Sequence, residues 1–139
     1  MPAVYFADTF WWIAPANPKD AWHAPALSWD GAHPDAQFVT TEEVLSELLA
    51  WFAATGPAGR AHASAAVRGA FADPSTQVLP QTSADFATAL TLYEARPDKE
   101  YSLTDCRSMV AMRALGVAEV LTNDNHFTQE GFRVLFPGP

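Results

Sequence analysis

Short apolar runs alternate with longer amphipathic stretches along this chain of 139 residues, and this alternation limits its possible folds more than any other feature. Five runs have the length and apolar character of buried strands, and they cover residues 4–7, 37–41, 77–79, 120–122 and 132–136. Strands that alternate with helices favour an α/β domain with a largely parallel central sheet. The length suits one domain, and we expect residues 1–139 to form it.

The stretches between the strands predict helices whose ends carry clear signals. Four of these helices cover residues 42–54, 58–72, 83–95 and 103–115. Thr41, Ser83 and Ser102 are the predicted N-caps of three of them. A fifth helix, capped by Asp20, would hold Pro25 in its interior unless it starts late, because proline disrupts an established helix.

The balance of charge excludes one class of nucleic-acid-binding protein. Sixteen acidic residues face eight Lys and Arg, which gives a formal net charge of −8. A broad basic surface of the kind that binds nucleic acid non-specifically is therefore not expected. A nuclease is still compatible with this charge, because converging carboxylates can hold divalent cations that face the phosphates.

Cysteine use and hydropathy bear on the compartment. Cys106 is the single cysteine, which excludes an internal disulfide and a cysteine-rich zinc or iron–sulfur site. The sequence has no uncharged apolar run of about 18 residues, the length that a membrane span requires, and its first residues lack the basic and apolar regions of a signal peptide. We therefore expect a cytosolic protein in which Cys106 is buried and inert.

Two acidic residues come just after predicted strands. Asp8 follows the run at 4–7, and Asp124 follows the run at 120–122. The carboxyl ends of parallel strands meet at one edge of a sheet, so we expect these two carboxylates at the same edge. Taken singly, each has a plainer interpretation, Asp8 as a turn residue and Asp124 as a loop acid.

Two further acids lie on predicted helices. Glu47 borders an apolar stripe, so it either points along the seam with the sheet or is a solvated helix acid. We predict that this stripe buries Val44, Leu45, Leu48, Leu49, Trp51 and Phe52. Asp105 follows Ser102 by three positions in a capping-box pattern. It is either a helix-start residue only, or a carboxylate that the first turn of the helix holds in place to join a site at the sheet edge. The core-facing stripe of that helix is predicted at Leu103, Cys106, Val110 and Ala114.

Together the four acids predict a site for a divalent cation. Hard oxygen ligands without a histidine or cysteine cluster favour Mg²⁺ or Mn²⁺ over zinc. Such a cation neutralises a phosphodiester and promotes the ionisation of water. We assign His126, two residues after Asp124, a structural or hydrogen-bonding role, and the other histidines show no metal-ligand spacing.

A family pattern extends from residue 4 to residue 136. Its four segments read VYFADTF, VTTEEVLSELL, YSLTDCRSMVAMRALGV and EVLTNDNHFTQEGFRVL. In these segments the sequence resembles the PIN domain, and in particular the VapC-like ribonuclease toxins. The last two segments are the most specific, because they contain the Ser-Leu-Thr-Asp helix start and a strand, an acid and His-Phe in family order.

The resemblance implies a fold, an activity and a site. The fold would be a PIN-like three-layer α/β/α domain, and the activity would be that of a metal-dependent endoribonuclease that hydrolyses RNA phosphodiester bonds. Asp8, Glu47, Asp105 and Asp124 would be the catalytic residues and would bind Mg²⁺ or Mn²⁺, with Thr9 in support. The resemblance also implies a toxin with a small antitoxin as partner, and a homodimer.

Four cations and the five tryptophans are each open to two interpretations. Four cations either approach the RNA backbone or are isolated surface charges, and they are Lys19, Lys99, Arg96 and Arg107. Most tryptophans belong to the core, while some would form an exposed surface for a partner or for bases. The five tryptophans are Trp11, Trp12, Trp22, Trp29 and Trp51.

Two other function classes remain to be compared. One is a PIN-like binding module without catalysis, which would use the acids structurally and the tryptophan-rich surface for protein contact. The other is a haloacid-dehalogenase-type phosphatase. That class requires a second aspartate two residues after the first, and Phe10 occupies this position, which argues strongly against it.

Overall fold

Five parallel strands form the central sheet of the computed structural model, which describes residues 2–138. In chain order the strands are β1 (Val4–Ala7), β2 (Gln37–Thr41), β3 (Thr76–Leu79), β4 (Glu119–Leu121) and β5 (Arg133–Val134). Their order across the sheet is β3-β2-β1-β4-β5, and every neighbouring pair is parallel. The prediction of an α/β fold with a largely parallel sheet is confirmed, and β1 lies at the centre of the sheet.

Seven α-helices connect the strands within the described residues. They are α1 (Thr9–Ile13), α2 (His23–Ala32), α3 (Glu42–Trp51), α4 (Gly56–Ala72), α5 (Ser83–Ala95), α6 (Leu103–Leu115) and α7 (His126–Gln129). Helices α1 and α7 are not predicted from the sequence, because four or five residues are too few for a periodic signal. Helix α2 starts late, at His23, so that Pro25 falls in its first turn, where proline is tolerated.

Helices cover both faces of the sheet. Along each strand successive side chains point to opposite faces. Phe6, Val39 and Val120 pack with residues of α3, α5, α6 and α7 in one core. Tyr5 and Leu121 pack with residues of α1 and α2 in a second core on the other face. The result is the three-layer α/β/α arrangement that the resemblance implied.

Helix caps account for several boundaries. Thr41 accepts a hydrogen bond from the Val44 amide, as expected for an N-cap. The predicted N-cap of α5 is wrong by one residue: Thr82 caps the helix by accepting from the Asp85 amide, and Ser83 is the first helical residue. An exposed threonine and a neighbouring serine are equivalent as capping signals, so the sequence alone does not separate them.

The buried stripes of α3 and α6 are narrower or rotated relative to prediction. In α3 the buried residues are Val44, Leu45 and Leu48, while Leu49 and Trp51 are exposed. This helix ends at Trp51, three residues earlier than predicted, and Leu48 is the buried residue of its last turn. In α6 the fully buried apolar residues are Cys106, Met109 and Met112, whereas Leu103 and Val110 are half-buried and Ala114 is exposed. Helix α6 packs against both the sheet and α5, and this two-sided contact rotates its core face.

Most tryptophans lie in or against the core. Trp11 is buried among the residues of α1 and α2, where its ring contacts those of Trp29 and Phe38. Trp22 packs against the same cluster, and Trp51 is 59% exposed.

No helix in residues 2–138 combines the length and the apolar character needed to span a bilayer.

Candidate active site

Asp8 lies at the carboxyl end of the central strand, where β1 meets α1. Its side chain is buried, and its Oδ2 accepts a hydrogen bond of 2.8 Å from the hydroxyl of Thr122. Thr122 directly follows β4, the parallel neighbour of β1. The sheet therefore brings the end of each strand to the same edge, as the strand pattern predicted.

Asp124 reaches the same edge through Thr122. Its amide donates to the Thr122 hydroxyl oxygen over 3.1 Å, and that hydroxyl in turn donates to Asp8. The Asp124 Oδ1 atom accepts a hydrogen bond of 2.9 Å from the amide of His126 at the start of α7. One hydroxyl thus links the two acids that follow neighbouring strands.

Asp105 is held by the first turn of α6. The Ser102 hydroxyl accepts from the Asp105 amide, and Asp105 Oδ2 accepts from the Ser102 amide, each at 3.0 Å. This is the predicted capping box, and it is confirmed. The Asp105 side chain is 14% exposed, so a cap residue is here also a nearly buried carboxylate beside the sheet edge.

Glu47 joins the site through α1. The Thr9 hydroxyl, one residue after Asp8, donates to Glu47 Oε1 over 2.6 Å. Thr9 is buried, while Glu47 lies at the solvent side of α3. Each of the two interpretations of Glu47 is therefore met in part. The residue is exposed on its helix, and its carboxylate is held by Thr9, the residue next to Asp8.

His126 is the fifth group of the cluster. Its Nδ1 atom lies 3.2 Å from Asp124 Oδ1 and 3.7 Å from Asp105 Oδ2. Nδ1 is buried and makes no hydrogen bond within residues 2–138. One ligand atom from each of Asp105, Asp124 and His126 lies within 4.8 Å of the others.

Burial, with a smaller contribution from neighbouring negative charges, raises the pKa values of Asp8 and Asp105. Burial raises the pKa of Asp8 to about 7, against hydrogen bonds from the Thr122 hydroxyl and the Thr9 amide that lower it, and the charges of Asp105 and Glu47 raise it further. Burial also raises the pKa of Asp105, to which the charges of Asp124 and Glu47 add. The four predicted acids therefore act on one another electrostatically.

This donor set fits a divalent cation. Carboxylate oxygens and an imidazole nitrogen are metal ligands, and a positive ion among them would offset the mutual repulsion of the acids. The buried Nδ1 atom of His126 has no hydrogen-bond partner in the described chain, so its nitrogen is available as a metal ligand. Asp105, Asp124 and His126 are the residues that would contact the cation together.

Sequence reasoning missed Thr122, which was predicted only as the last residue of a strand. It assigned His126 a structural or hydrogen-bonding role and did not place it beside Asp105 and Asp124. A hydroxyl residue at the end of a strand, two positions before an acid, is the signal that would have pointed to Thr122. Because α7 is too short to detect, the orientation of His126 had no signal in the sequence.

Three of the four cations for which RNA contact and isolated surface charge were both considered form ion pairs within the chain. Arg107 is buried, and its Nε atom donates to Glu43 Oε2 over 2.9 Å. Arg96 pairs with Glu130 at 3.0 Å, and Lys99 pairs with Asp98 at 3.4 Å. Both interpretations are wrong for Arg107, which is neither a surface charge nor open to a polyanion, because three protein oxygens surround it.

Comparison with known proteins identifies the family and the fold. The sequence model of the family described as the PIN domain matches residues 5–132. The crystal structure of VapC20 from Mycobacterium tuberculosis, a sarcin-ricin loop cleaving toxin, has a TM-score of 0.81 and 25% identity, covering 94% of this chain and 96% of that one. FitAcB from Neisseria gonorrhoeae has a TM-score of 0.63 and 16% identity over 94% and 95%, a likeness of fold alone. No curated protein matches the sequence.

Proposed function

Since the chain belongs to the PIN domain family, we propose that it is a metal-dependent endoribonuclease, a VapC-like toxin that hydrolyses RNA phosphodiester bonds. The observation that carries the proposal is the convergence of Asp8, Glu47, Asp105 and Asp124 on one edge of the sheet. The likeness to VapC20, which cleaves RNA of the sarcin-ricin loop, supports a ribonuclease in particular.

The cation would be Mg²⁺ or Mn²⁺, held by the carboxylates of this cluster. When bound, such an ion withdraws electron density from a phosphodiester and favours the ionisation of a coordinated water. The protein's own part is to orient and to exclude solvent. Thr122 orients the carboxylate of Asp8, Thr9 orients that of Glu47, and the capping box holds Asp105.

Burial of the site strengthens these electrostatic interactions. Asp8 is 7% exposed, and the Asp105 side chain is 14% exposed, so water screens their charges only partly. A phosphate that approaches this edge of a chain with net charge −8 meets repulsion unless the carboxylates are neutralised. Cleavage should therefore depend strictly on a divalent cation.

Partners and location are part of the same proposal. The likeness to a toxin supports a small antitoxin protein that inhibits this chain, and we also propose a homodimer in the cytoplasm.

The test is RNA cleavage by the purified protein with Mg²⁺, with Mn²⁺ and with excess chelator. We expect cleavage with either ion, none with chelator, and a loss of at least about a hundredfold in Asp8→Asn and Asp105→Asn. Asp35→Asn, which changes an exposed acid away from the cluster, is the matched control. Wild-type rates in both site variants, with folding verified by circular dichroism, would contradict the assignment.

Titration with Mn²⁺, together with the cleavage assay, distinguishes this nuclease from the alternative, a PIN-like binding module without catalysis. That module would neither bind Mn²⁺ nor cleave RNA. The tryptophan-rich surface that it would use is reduced by the packing of Trp11 in the core and of Trp22 and Trp29 against it.

A further inference from the structure

His126 lies where a metal ligand would lie. Its Nδ1 atom faces Asp124 Oδ1 at 3.2 Å and Asp105 Oδ2 at 3.7 Å. Metal–ligand bonds of about 2.1 Å place adjacent ligand atoms roughly 3.0–3.4 Å apart, so the first distance fits directly. The second requires a small rotation of one side chain.

The Nδ1 atom of His126 either forms an ion pair with the two carboxylates, as a protonated imidazole, or shares a cation with them. The imidazole as a whole is 29% exposed, but Nδ1 itself is buried and makes no hydrogen bond to any of residues 2–138. Buried polar atoms are normally satisfied by hydrogen bonds, so the missing hydrogen bond favours a group that binds all three side chains. A divalent cation does so, since imidazole nitrogen and carboxylate oxygen can share one ion.

The protein also holds the imidazole ring in place. The ring meets that of Tyr101 edge-on, with the ring centroids 5.6 Å apart. The Tyr101 hydroxyl donates to Glu130 Oε2 over 3.0 Å, and Arg96 and Arg113 bind the same carboxylate. Outer contacts of this kind orient the ligands of metal sites.

We propose that His126 binds the divalent cation directly through Nδ1, together with Asp105 and Asp124, and that it thereby shifts the preference of the site from Mg²⁺ towards Mn²⁺. This inference rests on the proposed metal-dependent function and extends it to the identity of the ion. The chemical reason is that Mg²⁺ takes oxygen ligands and retains its waters, whereas imidazole suits transition-metal ions.

The test measures binding of the metal alone, without RNA. Isothermal titration calorimetry with MnCl₂ and MgCl₂ compares wild-type protein, His126→Phe and the control His62→Phe, which changes an exposed histidine of α4. We expect the Mn²⁺ affinity of His126→Phe to fall on the order of tenfold or more, and its Mg²⁺ affinity to fall less. His62→Phe should bind both ions as wild type does.

Pulsed electron paramagnetic resonance of bound Mn²⁺ gives a second, structural readout. A directly coordinated imidazole produces a nitrogen coupling, which we expect in the wild type and in His62→Phe but not in His126→Phe. If the phenylalanine variant folds poorly, His126→Asn replaces it, because asparagine keeps a polar group near the position of Nδ1 but cannot give the imidazole signal.

Two results would overturn the inference that His126 is a ligand, and both can be distinguished from a failure of the ribonuclease proposal. Equal Mn²⁺ affinity in the wild type and His126→Phe, or no nitrogen coupling in the wild type, would remove His126 from the ligands. If RNA is still cleaved with Mn²⁺ in that case, the ribonuclease proposal stands. If instead the nitrogen coupling is present and RNA is not cleaved, the inference stands and the ribonuclease proposal fails.

Discussion

Thr122 donates its hydroxyl proton to Asp8 Oδ2 over 2.8 Å, although 114 positions separate the two residues in the chain. The same hydroxyl oxygen accepts the amide of Asp124 at 3.1 Å. A single side chain therefore sets the spacing between the acids that follow β1 and β4. Because Thr122 is buried, water cannot replace it in either hydrogen bond.

Replacing Thr122 by valine should weaken the metal site and the fold together. Valine has nearly the same shape, but it leaves the buried Asp8 carboxylate without its hydroxyl donor, at a cost of about 1–3 kcal/mol in the free energy of unfolding. The pKa of Asp8 should rise further, because that hydrogen bond lowers it. Calorimetric Mn²⁺ binding and urea unfolding measure the two effects. Thr122→Ser keeps the hydroxyl and is the control; wild-type Mn²⁺ affinity and stability in Thr122→Val would show that the hydrogen bond does not matter.

Asp8 should make the metal-free protein less stable as the pH rises. Its pKa is about 7 in the folded chain and 3.8 in its reference state, so between these values the folded state binds more protons than the unfolded state. The contribution of Asp8 to the free energy of unfolding therefore falls from about pH 4 to about pH 7 and is constant above that. Asp8→Asn removes this dependence and should be the more stable protein at about pH 8.

Urea unfolding of both proteins in chelator, across this pH range, measures the difference between them. The comparison reports Asp8 together with its electrostatic effect on Asp105 and Glu47, because the charges of these carboxylates act on one another. Parallel stability curves for wild type and Asp8→Asn would mean that the folded Asp8 carboxyl group titrates normally. Saturating Mn²⁺ should stabilise wild-type protein most at high pH, where the carboxylates are ionised.

Arg107 should be essential to the packing of the helices that carry Glu47 and Asp105. It lies on α6, is buried, and reaches Glu43 on α3 at 2.9 Å and Asp85 on α5 at 3.4 Å. Replacing it by methionine leaves Glu43 partly buried without its partner, so we expect a loss of about 3 kcal/mol in the free energy of unfolding. Chemical denaturation measures this loss.

Two further variants make the Arg107 result interpretable. Arg133→Met removes the exposed pair that Arg133 forms with Glu119 at 3.1 Å, and it should cost less than about 1 kcal/mol. The double variant Arg107→Met with Glu43→Met should recover much of the loss, because the partly buried charge of Glu43 is removed and Asp85, the other carboxylate that contacts Arg107, is 41% exposed to water. A double variant no more stable than Arg107→Met would mean that the arginine acts through packing.

Local signals in the sequence determined the order of strands and helices, the parallel sheet and the candidate acids. The helix predicted over 103–115 has those bounds in the structure, because a capping box and Gly116 mark its ends within a few residues. The expectation that Asp8 and Asp124 share one sheet edge follows from the parallel direction of the strands, which the alternation of strands and helices indicates.

Only the tertiary structure decided how the side chains of the site are held. The Thr122–Asp8 bond, the position of His126 Nδ1 and the burial of Arg107 all depend on residues far apart in the chain. Hydrophobic periodicity reports which face of an element meets the core, and it carries no information about which distant polar atom a side chain meets. That choice is made when α3, α6 and the sheet pack together and each buried polar group must find a partner.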